Sequence, residues 1–222
     1  MFFFSIAITT NFFLPFFLPL ELSSAPPTKD SSTSTTPIKG KLLLLSIAFI
    51  VFRLNNQQTF CFKSNFRPLL PDVRAIRYNN IEDLELISTK TACVIFEPVQ
   101  AEAGVIAPDD NYVKQLALRC KETGTLLIAD EVQTGLGRTG KLWGFENYDI
   151  KPDIITLAKA FGGGLPLGAF IASNEIMACL KENPILGHIT TFGGNAVCCA
   201  AALANLNIVA EQSFLDNIIK IS

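Results

Sequence analysis

Charge is nearly missing where the chain begins. Among residues 1–58 only Glu21, Lys29, Asp30, Lys39, Lys41 and Arg53 carry it. No Lys or Arg precedes Lys29, so the basic n-region of a secretory signal is lacking. The apolar run "LLLLSIAFIVF" is too short to cross a bilayer as a helix, which takes roughly 20 residues. The longer run "MFFFSIAITTNFFLPFFLPL" contains Pro15 and Pro19, which interrupt a helix near its end. Between the two lies "SSAPPTKDSSTSTTP", with the composition of a flexible linker. Residues 1–66 are therefore expected to stand apart from the fold that follows; a targeting or membrane-anchoring role is the alternative.

Metal ligands and disulfide patterns are equally scarce. His188 is the single histidine, and the six cysteines (Cys61, Cys93, Cys120, Cys179, Cys198 and Cys199) form no CxxC pair. This excludes a zinc site of the usual spacing and a disulfide framework. The cysteines sit in apolar surroundings, as buried thiols of a reducing compartment do, which suits cytoplasm or mitochondrial matrix. His188 is expected to be packed or exposed, not catalytic. Formal net charge is −2, with no basic field to attract nucleic acid. At 222 residues the chain can form one medium domain or part of a larger one.

From about Arg67 the pattern changes to strands alternating with helices. "ACVIF" (92–96), "TLLIA" (125–129) and "DIITLA" (153–158) are short apolar runs, as expected of strands buried on both faces. "LGAFIAS" (167–173) reads as a fourth. Between the first two, "PDDNYVKQLALRCKETG" predicts a helix capped by Asp109 or Asp110 and closed by Gly124. Its apolar face is Tyr112, Val113, Leu116, Ala117 and Cys120. A last helix begins at the N-cap Asn195 and is rich in small residues. Such alternation implies an α/β layer with a largely parallel sheet, and ligands of such sheets gather at the carboxyl ends of the strands. Asp130 and Lys159 both fall at such ends.

A lone lysine at a strand end can cap a sheet edge or form an ion pair. Here Gly162, Gly163 and Gly164 follow it, removing side chains beside the amine. An apolar strand end also desolvates a lysine, as a nucleophilic amine requires. Asp130, on a different strand, needs a cationic partner if it is buried.

These residues carry a resemblance. "FEPVQAEAGVIAPDDNYV", "LLIADEVQTGLGRTG", "KPDIITLAKAFGGGLPLGAFIAS" and "HITTFGGN" together resemble the class III pyridoxal-phosphate aminotransferases of fold type I, including the 29 positions from Asp130 to Lys159. Within that family the motifs look closest to ornithine and acetylornithine aminotransferases. The likeness runs from about Arg67 to about Ala210. It implies pyridoxal 5'-phosphate as cofactor, an amino acid and a 2-oxo acid as substrates, and a homodimer.

The resemblance also implies roles. Lys159 bonds covalently to the cofactor and shuttles the proton. Asp130 keeps the pyridine nitrogen protonated, and Gln133 meets the phenolic oxygen. Thr191 reaches the phosphate of the partner subunit's cofactor, with Gly193, Gly194 and Asn195 forming a turn that presents backbone N–H groups. Glu102 pairs with a substrate-gating arginine; for Glu97 a structural role is as open as a functional one, and Arg138 is a loop cation without assigned chemistry.

Residues 67–222 are thus expected to form the C-terminal half of the cofactor-binding large domain, an incomplete fold type I sheet flanked by helices. The family's "SGTEAN"-like phosphate loop, the aromatic that stacks on the pyridine ring and the arginine for the substrate α-carboxylate do not occur. Exposed apolar faces, and hence poor solubility, are expected. The rival reading is a non-catalytic or membrane-associated protein directed by its N-terminus.

Overall fold

The computed structural model describes residues 4–9 by their backbone, and residues 72–180 and 191–222 in full. His188, Cys61, the Ser/Thr/Pro linker and the second apolar run lie outside the described residues. Five strands form one sheet: β1 (Phe4–Thr9), β2 (Cys93–Phe96), β3 (Leu126–Asp130), β4 (Ile154–Leu157) and β5 (Gly168–Ser173), in the order β1-β5-β4-β3-β2. Among the described residues four α-helices accompany them: α1 (Asp110–Thr123), α2 (Asn174–Ala178), α3 (Ala196–Val209) and α4 (Gln212–Ile221).

The three central apolar runs become β2, β3 and β4, and these pair in parallel. β5 pairs antiparallel with β4, so the sheet is mixed, not parallel throughout. Chain length explains the reversal. Only residues 158–167 separate β4 from β5, fewer than the dozen or so that a parallel crossover needs. On the far side of β5, β1 adds antiparallel from Phe4 opposite Ser173 to Thr9 opposite Gly168. The stretch 1–66, expected to stand apart, thus contributes six residues to the sheet. An uncovered edge strand offers a row of unpaired N–H and C=O groups, which an apolar segment can take up.

Helix α1 forms as its caps dictate. The Asp109 carboxylate accepts from the Asn111 N–H at 2.8 Å, and Gly124 closes the end in the left-handed region at φ 65°. Its buried residues are Tyr112, Val113, Leu116 and Cys120, packed with Leu84, Ile87, Phe96, Leu127 and Tyr148 in one cluster. Burial there pushes the Cys120 thiol up to about 12, so it stays protonated and inert at neutral pH. On the same face of the sheet Leu157, Phe161 and Leu167 pack with Ala202 and Val209 of α3, while Ile128, Ile154 and Ala172 meet Ile176 and Met177 of α2 on the opposite face.

Asn195 caps α3, accepting from the N–H groups of Val197 and Cys198. The chain then breaks at Ala210–Glu211 and resumes as α4, a division with no glycine or proline to announce it. Val197, Leu203 and Ile208 of α3 stand exposed, as do Ile219 and Ile221 of α4. No single described helix is long and apolar enough to cross a membrane; α3 and α4 together have the composition but are bent by 68°.

The glycines after Lys159 do more than clear space. A Cβ on Gly163 would meet the Ala201 carbonyl oxygen at 2.9 Å and Asn205 Cβ at 3.1 Å, and its φ is +58°. One on Gly162 would meet Leu167. Both therefore serve packing, Gly163 against α3 and Gly162 against the start of β5; only Gly164, at φ +96° with nothing near, leaves the space open. Gly163→Ala is expected to cost about 1–3 kcal/mol in a denaturant titration, from left-handed strain and overpacking together.

Candidate active site

Three acidic or basic side chains stand where three neighbouring parallel strands end. Glu97 follows β2, Asp130 ends β3, and Lys159 lies two residues beyond β4. Register brings the last two together: Asp130 lies opposite Thr156, three residues before Lys159.

Asp130 is half-buried. Its Oδ1 accepts from the Val132 N–H at 3.1 Å and from the Thr156 hydroxyl at 3.3 Å. Thr156 is itself only 2% exposed, so the neighbouring strand holds this carboxylate from the side. Nothing in the sequence singles out Thr156, because an isolated threonine in an apolar strand is ordinary β-structure.

Lys159 opens a 3₁₀ turn, Lys159–Gly162, with φ +49°, a left-handed conformation uncommon for a residue with a side chain. Such strain persists only where surrounding structure imposes it. Helix α3 imposes it here: Asn205 Nδ2 donates to the Ala160 carbonyl at 2.8 Å, and Gly163 seats against the same helix. The lysine side chain stays exposed, and its Nζ donates to Gln133 Oε1. Lys159 and Gln133 are thereby brought together, next to Asp130.

Glu97 is the member whose role the sequence left open. Burial pushes its carboxyl above the ordinary range, assisted by Asp130 and Glu102, while the Ala101 N–H and Lys159 oppose the rise. Its Oε2 accepts from that N–H at 3.1 Å. Two buried or half-buried tyrosines fix the backbone beside it. Tyr148 Oη donates to the Pro98 carbonyl at 3.0 Å, and Tyr78 Oη to the Glu97 carbonyl at 2.8 Å. Glu102 rides exposed on the following turn, whose ends are tied by the Gln100–Ile106 bridge.

A raised carboxyl pKa fixes a sign. The folded chain holds the Glu97 proton more tightly than the unfolded chain, whose value is near 4.5. That contribution favours folding below the unfolded value and is lost as pH rises through the folded one. Relative to Glu97→Gln, the wild-type protein should therefore lose melting temperature as pH rises from the unfolded carboxyl value of 4.5. Parallel melting curves of the two proteins would refute this.

Thr191 is not brought to this cluster. It is exposed in the turn before α3, and no described hydrogen bond connects it to Lys159, Asp130 or Gln133. Arg138 is exposed on the Gly-rich loop whose Gly137 and Gly140 pack on Leu215, Ile218 and Ile219 of α4. An open groove between α1 and the amino ends of β3 and β4, lined by Lys114, Lys121 and Asp153 among others, lies away from Lys159.

A lysine, an acidic side chain and an amide converge at the carboxyl ends of adjacent strands, in a sheet like that of the fold type I transferases. The fold itself is a mixed sheet flanked by helices, part of their large domain. A family-wide sequence model described as "Aminotransferase class-III" matches residues 32–222, beginning inside the stretch 1–66. The chain belongs to the class-III aminotransferases.

Solved structures agree. Ornithine aminotransferase from Plasmodium yoelii is 40% identical over 64% of this chain and 38% of its own, with a TM-score of 0.58. The Toxoplasma gondii ornithine aminotransferase, described with partial occupancy of PLP at its active site, is 35% identical over 71% and 37%, with a TM-score of 0.65. Acetylornithine aminotransferase from Elizabethkingia anophelis is 43% identical over 63% and 35%, with a TM-score of 0.58. The chain spans under two-fifths of the length of these relatives.

Proposed function

We propose that this chain carries the lysine-bearing part of a transaminase that moves an amino group from an ornithine- or acetylornithine-like donor to a 2-oxo acid, with pyridoxal phosphate as cofactor. The observation that carries the reading is the convergence of Lys159, Gln133 and Asp130 at the carboxyl ends of β3 and β4. The donor set fits the group: an exposed primary amine, a carboxylate steadied by two hydrogen bonds, and an amide with a donor end to spare.

When bound, pyridoxal phosphate supplies an electron sink for negative charge at the substrate carbon. Lys159 Nζ would hold it covalently and would accept and return the substrate proton. The Asp130 carboxylate would keep the pyridine nitrogen protonated, its own orientation set by Thr156. Gln133 Nε2 would donate to the phenolic oxygen while Oε1 faces Lys159. Glu102 would take the arginine that otherwise receives a substrate carboxylate.

The protein acts as a homodimer in this reading. Thr191, exposed and with no described hydrogen bond to its own Lys159 cluster, would serve the phosphate of the second copy. The site of action is cytoplasm or mitochondrial matrix. The test is spectroscopic. Cofactor-saturated protein mixed with ornithine or N-acetylornithine should lose the absorbance of lysine-bound cofactor and recover it on adding 2-oxoglutarate. A spectrum unmoved by either donor would overturn the proposal.

A further inference from the structure

The connection from β3 to β4, residues 131–153, is long for a segment with no α-helix. Connections beyond about 12–15 residues without secondary structure are uncommon and tend to be functional. This one contains Gly135, Gly137, Gly140 and Gly144, so its own propensities do not hold a shape. Yet Gln133, near its start, is held in contact with the Lys159 amine.

A single buried side chain supplies the fastening. Glu131 is 2% exposed. Its Oε2 accepts from Thr134 Oγ1 at 2.6 Å and from the Gly144 N–H at 2.9 Å, and its Oε1 from the Phe145 N–H at 2.9 Å. Its main chain is committed as well: the N–H donates to the Thr156 carbonyl, and the carbonyl accepts from the Gly135 N–H. One residue thus ties the turn that carries Gln133 to β4, to Thr134 and to the 3₁₀ turn Gly144–Tyr148. Space is also filled there. A Cβ on Gly144 would meet Thr134 Cβ at 2.8 Å and Glu131 Oε2 at 3.1 Å, and one on Gly135 would meet the Glu131 carbonyl oxygen at 2.9 Å.

A buried carboxylate is costly unless its oxygens are satisfied. Three donors satisfy this one, and no cation joins them among the described residues. Mere loop closure could use an apolar side chain. A carboxylate adds direction, because three short hydrogen bonds set one orientation where packing allows several.

We infer that Glu131 is a positioning residue: its carboxylate, clamped by Thr134, Gly144 and Phe145, sets the approach of Gln133 to Lys159. The claim deepens the reading of this site as the place where Lys159 is engaged, but its test needs no cofactor. The rate at which acetic anhydride labels Lys159, followed by mass spectrometry on the full chain, reports the Gln133 contact. Gln133→Ala should raise that rate roughly two- to tenfold, the factor that loss of one net hydrogen bond carries. Glu131→Gln should raise it comparably, since its amide nitrogen must face one N–H donor. The double variant should label no faster than Gln133→Ala alone, because the first change acts through the second.

A purely structural Glu131 gives a different pattern, with a lowered melting temperature, wild-type labelling of Lys159 in the folded variant, and additive effects in the double variant. Either unchanged labelling in Glu131→Gln or additivity overturns the inference, and so does unchanged labelling in Gln133→Ala. Should Glu131→Gln not fold, Thr134→Val removes one of the three donors without burying a new one. It should raise labelling to an intermediate extent, and wild-type labelling there counts against the inference. Failure of the amino-donor assay above with these labelling effects intact would sink the transaminase reading alone.

Discussion

Lys159→Ala should abolish the absorbance of lysine-bound pyridoxal phosphate and lower the amino-transfer half-reaction by at least about 10²–10⁴-fold, the range that loss of a positioned proton carrier covers by itself. Covalent capture of the cofactor is lost in addition. The fold should survive. The side chain is exposed, and its contact with Gln133 is the one hydrogen bond removed; surface changes of this kind stay within about 0.5 kcal/mol. A second variant separates chemistry from stability. Lys159→Gly relieves a left-handed φ of +49° and should unfold no earlier than wild type while remaining equally inactive. An unchanged absorbance in either variant would remove Lys159 from the reaction.

Asp130→Asn is expected to have the second largest effect. The substitution keeps shape, and its oxygen can still accept from the Val132 N–H and the Thr156 hydroxyl. What would go is the negative charge proposed to face the cofactor's protonated ring nitrogen. Removing one partner of a desolvated charge pair costs about 3 kcal/mol, a factor of about 10² in cofactor affinity or half-reaction rate. Titration of the variant with pyridoxal phosphate, together with single-turnover kinetics, checks this. Wild-type affinity and rate would mean that Asp130 faces no such charge.

Thr156 bears on the same result. Its hydroxyl approaches Asp130 from the adjacent strand, a pairing set by the parallel register of β3 and β4. Neither residue points to the other in the sequence, since they lie 26 positions apart. Gln133 and Lys159 show the same limit. Their types and spacing mark them as candidates, but their contact requires the whole β3–β4 connection to fold back on itself. The glycines at 162 and 163 show it in reverse: the sequence suggested room for a ligand, and the structure uses them to seat α3 and Leu167.

By itself the sequence determined what depends on neighbours along the chain. Apolar runs specified β2 to β5, Asp109 and Gly124 bounded α1, Asn195 started α3, and four spaced motifs marked the family and placed Asp130 and Lys159 at strand ends. Tertiary structure decided what depends on residues far apart. It reversed β5, paired β1 with it, divided α3 from α4, strained Lys159 against Asn205 and Gly163, and buried Glu131 under three donors. The physical reason is the range of the forces involved. Periodicity and capping are satisfied within one or two turns of chain, whereas burial and the pairing of polar groups are satisfied only when distant segments meet.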